Sequence, residues 1–472
     1  MSTRAIKFGT DGWRSIIADG FTFDNVALVA TAITAYLKEQ GLQDRPLLVG
    51  YDRRFSAEEY AAHFASTVQG LGQPVMLSED YCPTPCLAVG VQHHKAAGAA
   101  MFTASHNHWR YQGLKFIPDF AGPAMPETTD RITELIGELR PSWKPPAYTG
   151  VFKGERINLK DAYFERLRSI VNANAFVSWH GRVLYDSMHG CGAGYLDELL
   201  REHGLEVVSI HSERDVYFGG GLPDPSYANL KDRMALLDEH DCRLLIGNDG
   251  DADRVGIMDR KGNFFTANDL LPLIADYLVR YKNGQGHFSR TVCTSHQLDQ
   301  VAKEHGREMV EVKVGFKYVA QELLKGAMIG GEESGGISVA GHVPEKDGTL
   351  GALLTIEMLA TSGERLVDLL EDFENRHGHR SFNRHDLHMA EPQKQKLFSA
   401  LEAGREPRFG GHKVVQRITI DGYKYVLDDG SWVMMRASGT EPVVRIYIET
   451  TKPDSFKRWQ KQILDEISQI SG

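Results

Sequence analysis

Residues 97–107, Ala-Gly-Ala-Ala-Met-Phe-Thr-Ala-Ser-His-Asn, join a short apolar run directly to a polar loop. The run from Ala97 to Phe102 has the length of a buried strand, as do Leu47-Leu48-Val49-Gly50 and Pro74 to Leu77. Between the latter two, Ser56-Ala57-Glu58-Glu59 is predicted to open a helix as a capping box. Strands that alternate with helices in this way indicate an α/β fold, in which functional residues lie beyond strand ends.

The same alternation of strands and helices occurs twice more along the chain. The second block has predicted strands at 183–186, 206–210 and 244–246 and a helix at 195–202; the third has strands at 291–293 and 309–314 and helices at 298–305 and 318–324. A last block differs, with predicted strands at 413–420, 423–427, 432–435 and 443–449 and a closing helix at 456–467. We therefore predict three similar α/β domains and a C-terminal α+β domain.

The length of the chain, 472 residues, exceeds what one hydrophobic core usually organises, which agrees with several domains. A proline-rich stretch at 140–146 marks the first linker. The predicted domains are residues 1–145, with the serine loop; 146–256, with an acidic loop; 257–375, with a glycine-rich loop; and 376–472, with a basic loop.

Composition excludes several classes of protein. The formal charge of −10 argues against a nucleic-acid surface but permits a local basic pocket for a small anion. No stretch approaches the roughly 20 consecutive apolar residues of a membrane-spanning helix, and the start has no apolar region of a secretory signal. Five scattered cysteines argue against a disulfide framework. We expect a cytoplasmic protein with no membrane and no nucleic-acid partner.

The segment Asp249-Gly250-Asp251-Ala252-Asp253-Arg254 places three carboxylates at alternate positions after an apolar strand. Three hard oxygen ligands this close together favour a divalent cation such as magnesium. An EF-hand begins with the same spacing but requires glycine at its sixth position and glutamate at its twelfth, where this chain has Arg254 and Arg260. The segment predicts a magnesium site of another kind, the alternative being a solvated acidic turn.

Two further loops carry groups that suit a phosphorylated sugar. Arg436-Ala437-Ser438-Gly439-Thr440-Glu441-Pro442, with Arg445 beyond it, offers arginines, hydroxyls and a glycine at which backbone N–H groups can converge on a phosphate. Taken alone, this loop fits an ordinary hairpin turn equally well. Gly330-Gly331-Glu332-Glu333-Ser334-Gly335-Gly336 and Glu345-Lys346-Asp347-Gly348 offer the donors and acceptors that neighbouring sugar hydroxyls require.

Two motifs argue against other chemistries. Ser105, in Thr103-Ala104-Ser105-His106-Asn107, lacks the flanking glycines of a hydrolase elbow, so an acyl-transfer triad is not expected. Gly190-Cys191-Gly192-Ala193-Gly194 lacks the third glycine of a dinucleotide fingerprint, because Tyr195 stands in its place.

Taken in order, the four loops resemble those of the α-D-phosphohexomutase superfamily, the phosphoglucomutases and phosphomannomutases. The resemblance covers the whole chain, with a phosphoserine loop (T-A-S-H-N), a metal loop (D-G-D-A-D-R), a sugar loop (G-E-E-S-G-G) and a phosphate loop (R-A-S-G-T-E-P). Residues 8–14, Phe-Gly-Thr-Asp-Gly-Trp-Arg, are similar to the family's first active-site segment. The resemblance implies four domains around a central cleft, with three mixed sheets, each domain lending one loop.

The resemblance also implies a role for each site residue. Ser105 would carry the phosphoryl group and bind Mg²⁺ together with Asp249, Asp251 and Asp253. The groups around the transferring phosphoryl would be Arg14, His106, Lys115 and Arg254. The substrate would be held by Glu332, Ser334 and Lys346 at the sugar and by Arg436, Ser438, Gly439, Thr440 and Arg445 at the second phosphate. The implied cofactors are Mg²⁺ and a hexose 1,6-bisphosphate as activator and intermediate, and the implied partner is a small-molecule sugar phosphate on a monomer or homodimer.

The implied reaction interconverts hexose 1-phosphate and hexose 6-phosphate. Glucose is favoured and mannose is compatible, because residues 331–334 resemble phosphoglucomutases, whereas phosphoglucosamine mutases usually have glutamine between the glutamate and the serine. The alternatives are a phosphoglucosamine mutase and, from another class, a metal-dependent sugar phosphatase with water as acceptor. The chain departs from many relatives at His108-Trp109-Arg110, where proline usually follows the asparagine, and at Gly336, where several bacterial relatives carry histidine.

Overall fold

Four β-sheets succeed one another along the chain in the computed structural model, which describes residues 6–9, 11–148, 151–437 and 443–471. The first sheet contains the strands β1 (Trp13–Ile16), β2 (Leu47–Tyr51), β3 (Val75–Ser78), β4 (Gly98–Phe102), β5 (Tyr111–Pro118) and β6 (Glu155–Ile157). Its helices are α1 (Phe23–Glu39), α2 (Ala57–Gly70), α3 (Thr84–His93) and α4 (Pro126–Leu139). Within the described ranges, no helix combines the length and apolarity needed to cross a membrane.

The second and third sheets follow the same plan. The second region contains α5 (Lys160–Ile170), β7 (Arg182–Asp186), α6 (Leu196–Glu202), β8 (Glu206–Ile210), α7 (Tyr227–Leu230), α8 (Met234–Glu239), β9 (Leu244–Asn248), β10 (Val255–Asp259) and β11 (Phe264–Phe265). The third contains α9 (Ala267–Lys282), β12 (Phe288–Thr291), α10 (Gln297–Glu304), β13 (Met309–Val312), α11 (Phe316–Leu324), β14 (Ile329–Gly331), β15 (Ile337–Val339), α12 (Gly348–Ser362) and α13 (Leu366–His377).

The C-terminal sheet is antiparallel throughout, in the order β16-β20-β19-β18-β17. Its elements are β16 (Ser381–His388), α14 (Glu391–Glu402), β17 (Val414–Ile418), β18 (Tyr423–Leu427), β19 (Trp432–Ala437), β20 (Val443–Thr450) and α15 (Phe456–Ser471). The prediction of three similar α/β domains and a C-terminal α+β domain is confirmed.

One strand arrangement recurs in the first three sheets. The strand orders are β5-β4-β2-β3, β10-β9-β7-β8 and β15-β14-β12-β13. In each set of four, the neighbours across the sheet are the fourth, third, first and second strands along the chain. In each, the first three strands along the chain pair in parallel and the fourth returns antiparallel beside the third. The connection between the third and fourth strands is a predicted functional loop in every case, so the serine, metal and sugar loops occupy equivalent positions. The phosphate loop likewise joins the antiparallel neighbours β19 and β20.

Some boundaries differ from the sequence-based predictions. The first sheet continues beyond residue 145, because β6 pairs in parallel with β3. The second sheet continues beyond residue 256, because β10 pairs with β9 and is extended by the hairpin to β11. The third-block strand predicted at 291–293 instead covers Phe288–Thr291. The predicted capping box at Ser56 is wrong: that residue has φ 54° and makes no side-chain cap bond.

Hydrophobic packing joins the first three domains. One core cluster includes Leu48 of β2, Tyr185 of β7 and Phe288 of β12, all fully buried. The C-terminal domain has its own core, and a smaller cluster that includes Val292 and Trp432 connects it to the third domain. The serine, metal and sugar loops are therefore carried by one packed body, to which the C-terminal domain attaches at one side.

Asp347 fixes the start of α12, directly after the lysine of the sugar region. Its side chain accepts the N–H of Leu350 at 2.9 Å and the hydroxyl of Tyr163 at 2.9 and 2.8 Å, and it is fully buried.

Asp347→Ala removes a helix cap and leaves a buried hydroxyl unpaired, so we expect a loss of stability on the order of 2 to 4 kcal/mol. Calorimetry should show a lower melting temperature for Asp347→Ala than for Asp347→Asn, which keeps a capping oxygen. Equal melting temperatures for the two variants would contradict the role of the Asp347 side chain as the helix cap.

Candidate active site

The serine, metal and sugar loops meet at one point. Ser105 Oγ donates to Asp249 Oδ2 at 2.9 Å, which joins the first domain to the second. Lys115, on β5, places its Nζ 2.8 Å from both Asp251 Oδ2 and Asp253 Oδ2. Lys346 Nζ of the third domain lies 2.9 Å from Asp253 Oδ2. Residues far apart in sequence thus form a single polar cluster between three domains.

The conformation of the serine loop is unusual. Ser105 is fully buried and has φ 51°, in the left-handed region that a non-glycine residue seldom occupies. Its N–H donates to Thr103 Oγ1 at 2.8 Å, and its Oγ lies 3.2 Å from His106 Nδ1. Gly250 allows the metal loop to approach closely, since a Cβ there would stand 2.6 Å from the Ser105 carbonyl oxygen. The backbone holds the serine hydroxyl against the carboxylates.

The three aspartates form a cradle for a cation. Asp249, Asp251 and Asp253 are fully buried, and each offers an oxygen within 4.8 Å of the others. Burial and the charges of Asp253 and Asp251 raise the pKa of Asp249 well above its usual range. Asp251 Oδ1 and Asp253 Oδ1 are buried and have no hydrogen-bond partner among the described residues. Free carboxylate oxygens that converge in this way fit a small, hard divalent cation.

Basic residues compensate part of this negative charge. Burial opposes protonation of Lys115, but Asp11, Asp251 and Asp253 outweigh it and hold the pKa of Lys115 well above its usual range. Burial likewise opposes the charge on Asp253, yet Lys115 and Lys346 hold its pKa below the usual range. Both lysines are therefore charged, and they tie the metal loop to its two neighbours.

The remaining residues expected at the transferring group lie around Ser105. Arg14 donates to Asn107 Oδ1 at 2.6 Å, which places its guanidinium on the serine loop. The Arg254 guanidinium and burial lower the pKa of His106 to about 2, so its ring is neutral. Arg254 Nε lies 3.8 Å from Asp253 Oδ1, and its backbone N–H donates to Asp249 Oδ1 at 3.1 Å.

The sugar loop faces the same cluster. Ser334 Oγ donates to Glu332 Oε1 at 2.7 Å, and burial raises the pKa of Glu332. A Cβ at Gly336 would stand 2.8 Å from Lys346 Cδ. Lys346 therefore occupies the space beside Gly336. Glu333 turns elsewhere, because its Oε2 accepts the hydroxyl of Thr291 at 3.2 Å.

The phosphate loop is described at its two strand ends. Arg436 and Arg445 are cross-strand partners on β19 and β20. Arg436 Nε lies 3.1 Å from Asp421 Oδ2, and Arg445 Nε lies 3.9 Å from Asp386 Oδ2. The predicted phosphate contacts Ser438, Gly439 and Thr440 fall outside the described residues.

The unusual segment after Asn107 lies against the second domain. The ring of Trp109 meets that of Tyr217 edge-on at 5.0 Å, and the Arg110 guanidinium lies 5.2 Å from the Trp109 ring centre. Aromatic packing across the domain boundary therefore holds this part of the serine loop against the second domain.

Sequence reasoning assigned no individual role to several residues of the cluster, although Asp11 and Glu345 lie in segments that it singled out. Asp11 Oδ2 lies 3.0 Å from Lys115 Nζ and 3.6 Å from Lys346 Nζ. Thr84 Oγ1 donates to Asp251 Oδ2 at 2.5 Å. Asp52 and Arg54 support the serine loop, and Glu345 is buried beside Lys346. A signal existed for Asp52 and Arg54, because charged residues directly after the buried strand β2 share a sheet edge with the serine loop.

Family models match nearly the whole chain. The descriptions are phosphoglucomutase/phosphomannomutase alpha/beta/alpha domain I at residues 5–142, domain II at 161–262, domain III at 266–376 and the C-terminal domain at 387–466. The matched ranges contain the serine, metal, sugar and phosphate loops in that order.

Individual relatives align along their full length. A phosphoglucomutase/phosphomannomutase of Thermococcus kodakarensis is 30% identical and covers 96% of both chains. A probable phosphoglucosamine mutase of Methanopyrus kandleri is 29% identical over 98% of this chain and 97% of its own. The crystal structure of a putative phosphomannomutase from Thermus thermophilus superposes with a TM-score of 0.85 at 32% identity, covering 100% of this chain and 99% of its own.

Glu345 provides a test of the electrostatics. Burial raises its pKa to about 8, although Lys346 and Lys115 oppose the shift. The folded protein keeps this proton up to about pH 8, whereas the unfolded chain releases it near pH 4.3, so the wild type loses stability as pH rises between these values. Glu345→Gln carries no such proton. Its melting temperature relative to wild type should therefore be higher at pH 8 than at pH 5.

Glu239→Gln, at an exposed carboxylate at the end of α8, is the matched control, and as a surface substitution it should change stability by no more than about 0.5 kcal/mol. Differential scanning calorimetry at several pH values gives both comparisons. A pH-independent difference for Glu345→Gln would contradict the buried, protonated carboxyl.

Proposed function

Because the chain belongs to the phosphoglucomutase/phosphomannomutase family of phosphotransferase mutases, we propose that it interconverts hexose 1-phosphate and hexose 6-phosphate through a phosphorylated Ser105. The observation that carries the proposal is the contact of 2.9 Å between Ser105 Oγ and Asp249 Oδ2. A serine hydroxyl in contact with a buried carboxylate cradle, and surrounded by arginine and lysine, suits the transfer of a phosphoryl group.

Asp249, Asp251 and Asp253, with an oxygen on Ser105, would hold Mg²⁺. The support is the pair of buried oxygens, Asp251 Oδ1 and Asp253 Oδ1, that have no hydrogen-bond partner among the described residues. Bound there, the ion would neutralise charge on phosphoryl oxygens, as divalent cations do in phosphoryl transfer. Asp249 also holds the serine hydroxyl, so the same carboxylate would orient the residue that carries the phosphoryl group.

The reaction would proceed in two transfers. The 6-hydroxyl of a bound hexose 1-phosphate attacks the phosphorus on Ser105 and gives its proton to a base; the bond from phosphorus to Oγ breaks, and Oγ takes up a proton to leave the free serine hydroxyl. The resulting hexose 1,6-bisphosphate turns over, and Ser105 Oγ gives up its proton as it attacks the phosphorus of the 1-phosphate. The bond from that phosphorus to O1 breaks, O1 takes up a proton, and hexose 6-phosphate leaves with Ser105 phosphorylated again.

We assign the movement of these protons to His106, Lys115 or both. His106 Nδ1 is 3.2 Å from Ser105 Oγ, within reach of a proton on the reacting oxygens. Lys115 Nζ is held by Asp11, Asp251 and Asp253, so its charge faces the same point. Arg14 and Arg254 complete the positive surroundings of the transferring group.

Recognition of the substrate would use the third and fourth domains. Glu332, Ser334 and Lys346 would bind the sugar hydroxyls, which need both donors and acceptors. Arg436 and Arg445, with Ser438, Gly439 and Thr440, would bind the phosphate that is not being transferred. We further propose a cytoplasmic monomer or homodimer; all five cysteines are buried and free, as suits a reducing compartment.

A coupled assay tests the function directly. Glucose 1-phosphate with a trace of glucose 1,6-bisphosphate and Mg²⁺ should give glucose 6-phosphate, while release of inorganic phosphate stays far slower. Ser105→Ala should lower turnover by orders of magnitude. Phosphate release that outpaces isomerisation would favour the sugar phosphatase, and absence of both reactions would contradict the proposal.

The metal assignment predicts the behaviour of Asp251→Asn. A neutral amide cannot replace the lost charge, so the Mn²⁺ affinity measured by calorimetry should fall. Loss of a residue that only supports a metal ligand lowers metal affinity by about 10- to 100-fold, and loss of a ligand's charge should cost at least as much. Asp238→Asn, at an exposed residue paired with Arg260, is the matched control and should bind Mn²⁺ as wild type does. Full mutase activity in the presence of a chelator would contradict a metal role for the triad.

The preferred sugar depends on contacts with individual hydroxyl groups. We favour glucose 1-phosphate, with mannose 1-phosphate also accepted, because these sugars differ at one hydroxyl. One hydrogen bond of that kind contributes about 0.5–1.5 kcal/mol, or about 2- to 13-fold in rate. Comparison of kcat/KM for glucose, mannose and glucosamine 1-phosphates at fixed bisphosphate measures the preference. A preference for glucosamine above about tenfold would favour the phosphoglucosamine mutase instead.

A further inference from the structure

Arg54 is a fully buried arginine whose guanidinium is surrounded by carbonyl groups of the serine loop. Its NH2 donates to the carbonyl oxygen of Ser105 at 2.6 Å and to that of Asn107 at 2.7 Å. Its NH1 donates to the carbonyl oxygens of His108 at 3.2 Å and Tyr111 at 3.1 Å. One side chain therefore fixes the backbone of the loop from the reacting serine to the start of β5.

A second chain of contacts starts from the same guanidinium. Arg54 Nε lies 3.2 Å from Asp52 Oδ2, which accepts the hydroxyl of Thr103 at 2.7 Å. Thr103 Oγ1 in turn accepts the N–H of Ser105 at 2.8 Å. Both polar groups of the Ser105 backbone, its carbonyl and its N–H, are thus held through the Asp52–Arg54 pair.

The second domain closes the other side of this arrangement. The Arg54 guanidinium lies 4.9 Å from the ring centre of Phe218, and the Arg54 carbonyl accepts from Arg214 at 3.0 Å. The segment that carries these residues also meets the metal loop, because the N–H of Gly250 donates to the carbonyl of Pro223 at 3.2 Å. Arg54 therefore touches both the serine loop and the segment that supports the metal loop.

This geometry requires a guanidinium in particular. A planar group with five fixed donors can serve several converging carbonyls at once, whereas an ammonium has three donors on a flexible stem. A non-glycine residue in the left-handed region persists only where its surroundings over-determine its conformation, and Ser105 is such a residue. The carbonyl of Ser105 is held by Arg54, and its Oγ by Asp249.

We propose that Arg54 is a positioning residue for phosphoryl transfer, which locks the serine loop in the conformation that presents Ser105 Oγ to the metal cradle. The inference rests on the proposed function, since it assigns Arg54 to the transfer through Ser105. Arg54 reaches the reacting atoms through the loop backbone, so it acts on the rate of transfer more than on the affinity for substrate.

Arg54→Lys tests the assignment, with Arg53→Lys as the matched control. Arg53 is the preceding residue and donates instead to the carbonyl of Ser212 at 2.6 Å. We expect Arg54→Lys to lower kcat for glucose 1-phosphate by about 100-fold, as misplacement of a reacting group does, with KM changed by less than about threefold. Arg53→Lys should stay close to wild type in both kcat and KM.

Rescue distinguishes positioning from a loss of folding. Arg54→Ala should recover part of its kcat in millimolar guanidinium chloride, which supplies the missing planar donor, while Ser105→Ala should not. If neither Arg54 variant is soluble, Phe218→Leu is the test, because it keeps the arginine and removes the aromatic ring that packs against its guanidinium. We expect a several-fold lower kcat at unchanged KM for Phe218→Leu. A wild-type kcat in this variant would overturn the inference.

The outcomes separate the two claims. A wild-type protein without mutase activity contradicts the proposed function itself. An active wild type together with an Arg54→Lys variant of equal kcat, or with an equal loss in Arg53→Lys, overturns the role of Arg54 and leaves the proposed function standing.

Discussion

The burial of three carboxylates in one short loop is the constraint on which the site depends. Asp249, Asp251 and Asp253 are fully shielded from solvent, and a buried charge without compensation costs several kcal/mol. Compensation comes from Lys115 of the first domain and Lys346 of the third, each 2.8 to 2.9 Å from a carboxylate oxygen. The acidic loop is therefore stable only where three domains meet. The contacts that hold the domains together at this point are also the contacts that form the site.

A repeated topology makes this meeting possible. Each of the first three sheets delivers a hairpin connection from its third strand to an antiparallel fourth, so equivalent loops project from equivalent edges. A continuous hydrophobic core then fixes those domains against one another. The C-terminal domain has a separate core and joins the third domain through a smaller cluster around Trp432. The attachment of the C-terminal domain is therefore less extensive than the packing among the first three domains.

Sequence alone predicted what depends on local pattern. Strands such as Glu206–Ile210 and Tyr423–Leu427 were recoverable because apolar runs bounded by turn residues identify them, and the acidic loop was recoverable because its ligands are neighbours in sequence. The polar edge strand β16 was missed, since half of its side chains are exposed and little apolar pattern remains. The roles of Asp11, Arg54 and Glu345 depend on contacts between distant segments, which local periodicity does not encode. The capping box predicted at Ser56 was wrong because the backbone of this residue is left-handed and its side chain makes no capping hydrogen bond, which the sequence motif alone does not reveal.

The decisive measurement locates the phosphoryl group in the protein after reaction with glucose 1,6-bisphosphate, because transfer through Ser105 requires that this residue carries it. The active protein would be incubated with the bisphosphate, digested and examined by peptide mass spectrometry. We expect one phosphate on Ser105, whose occupancy falls when a hexose monophosphate is added in excess, because the monophosphate accepts the group and leaves as bisphosphate. Phosphate on another residue, or none on a protein shown to be active, would contradict it.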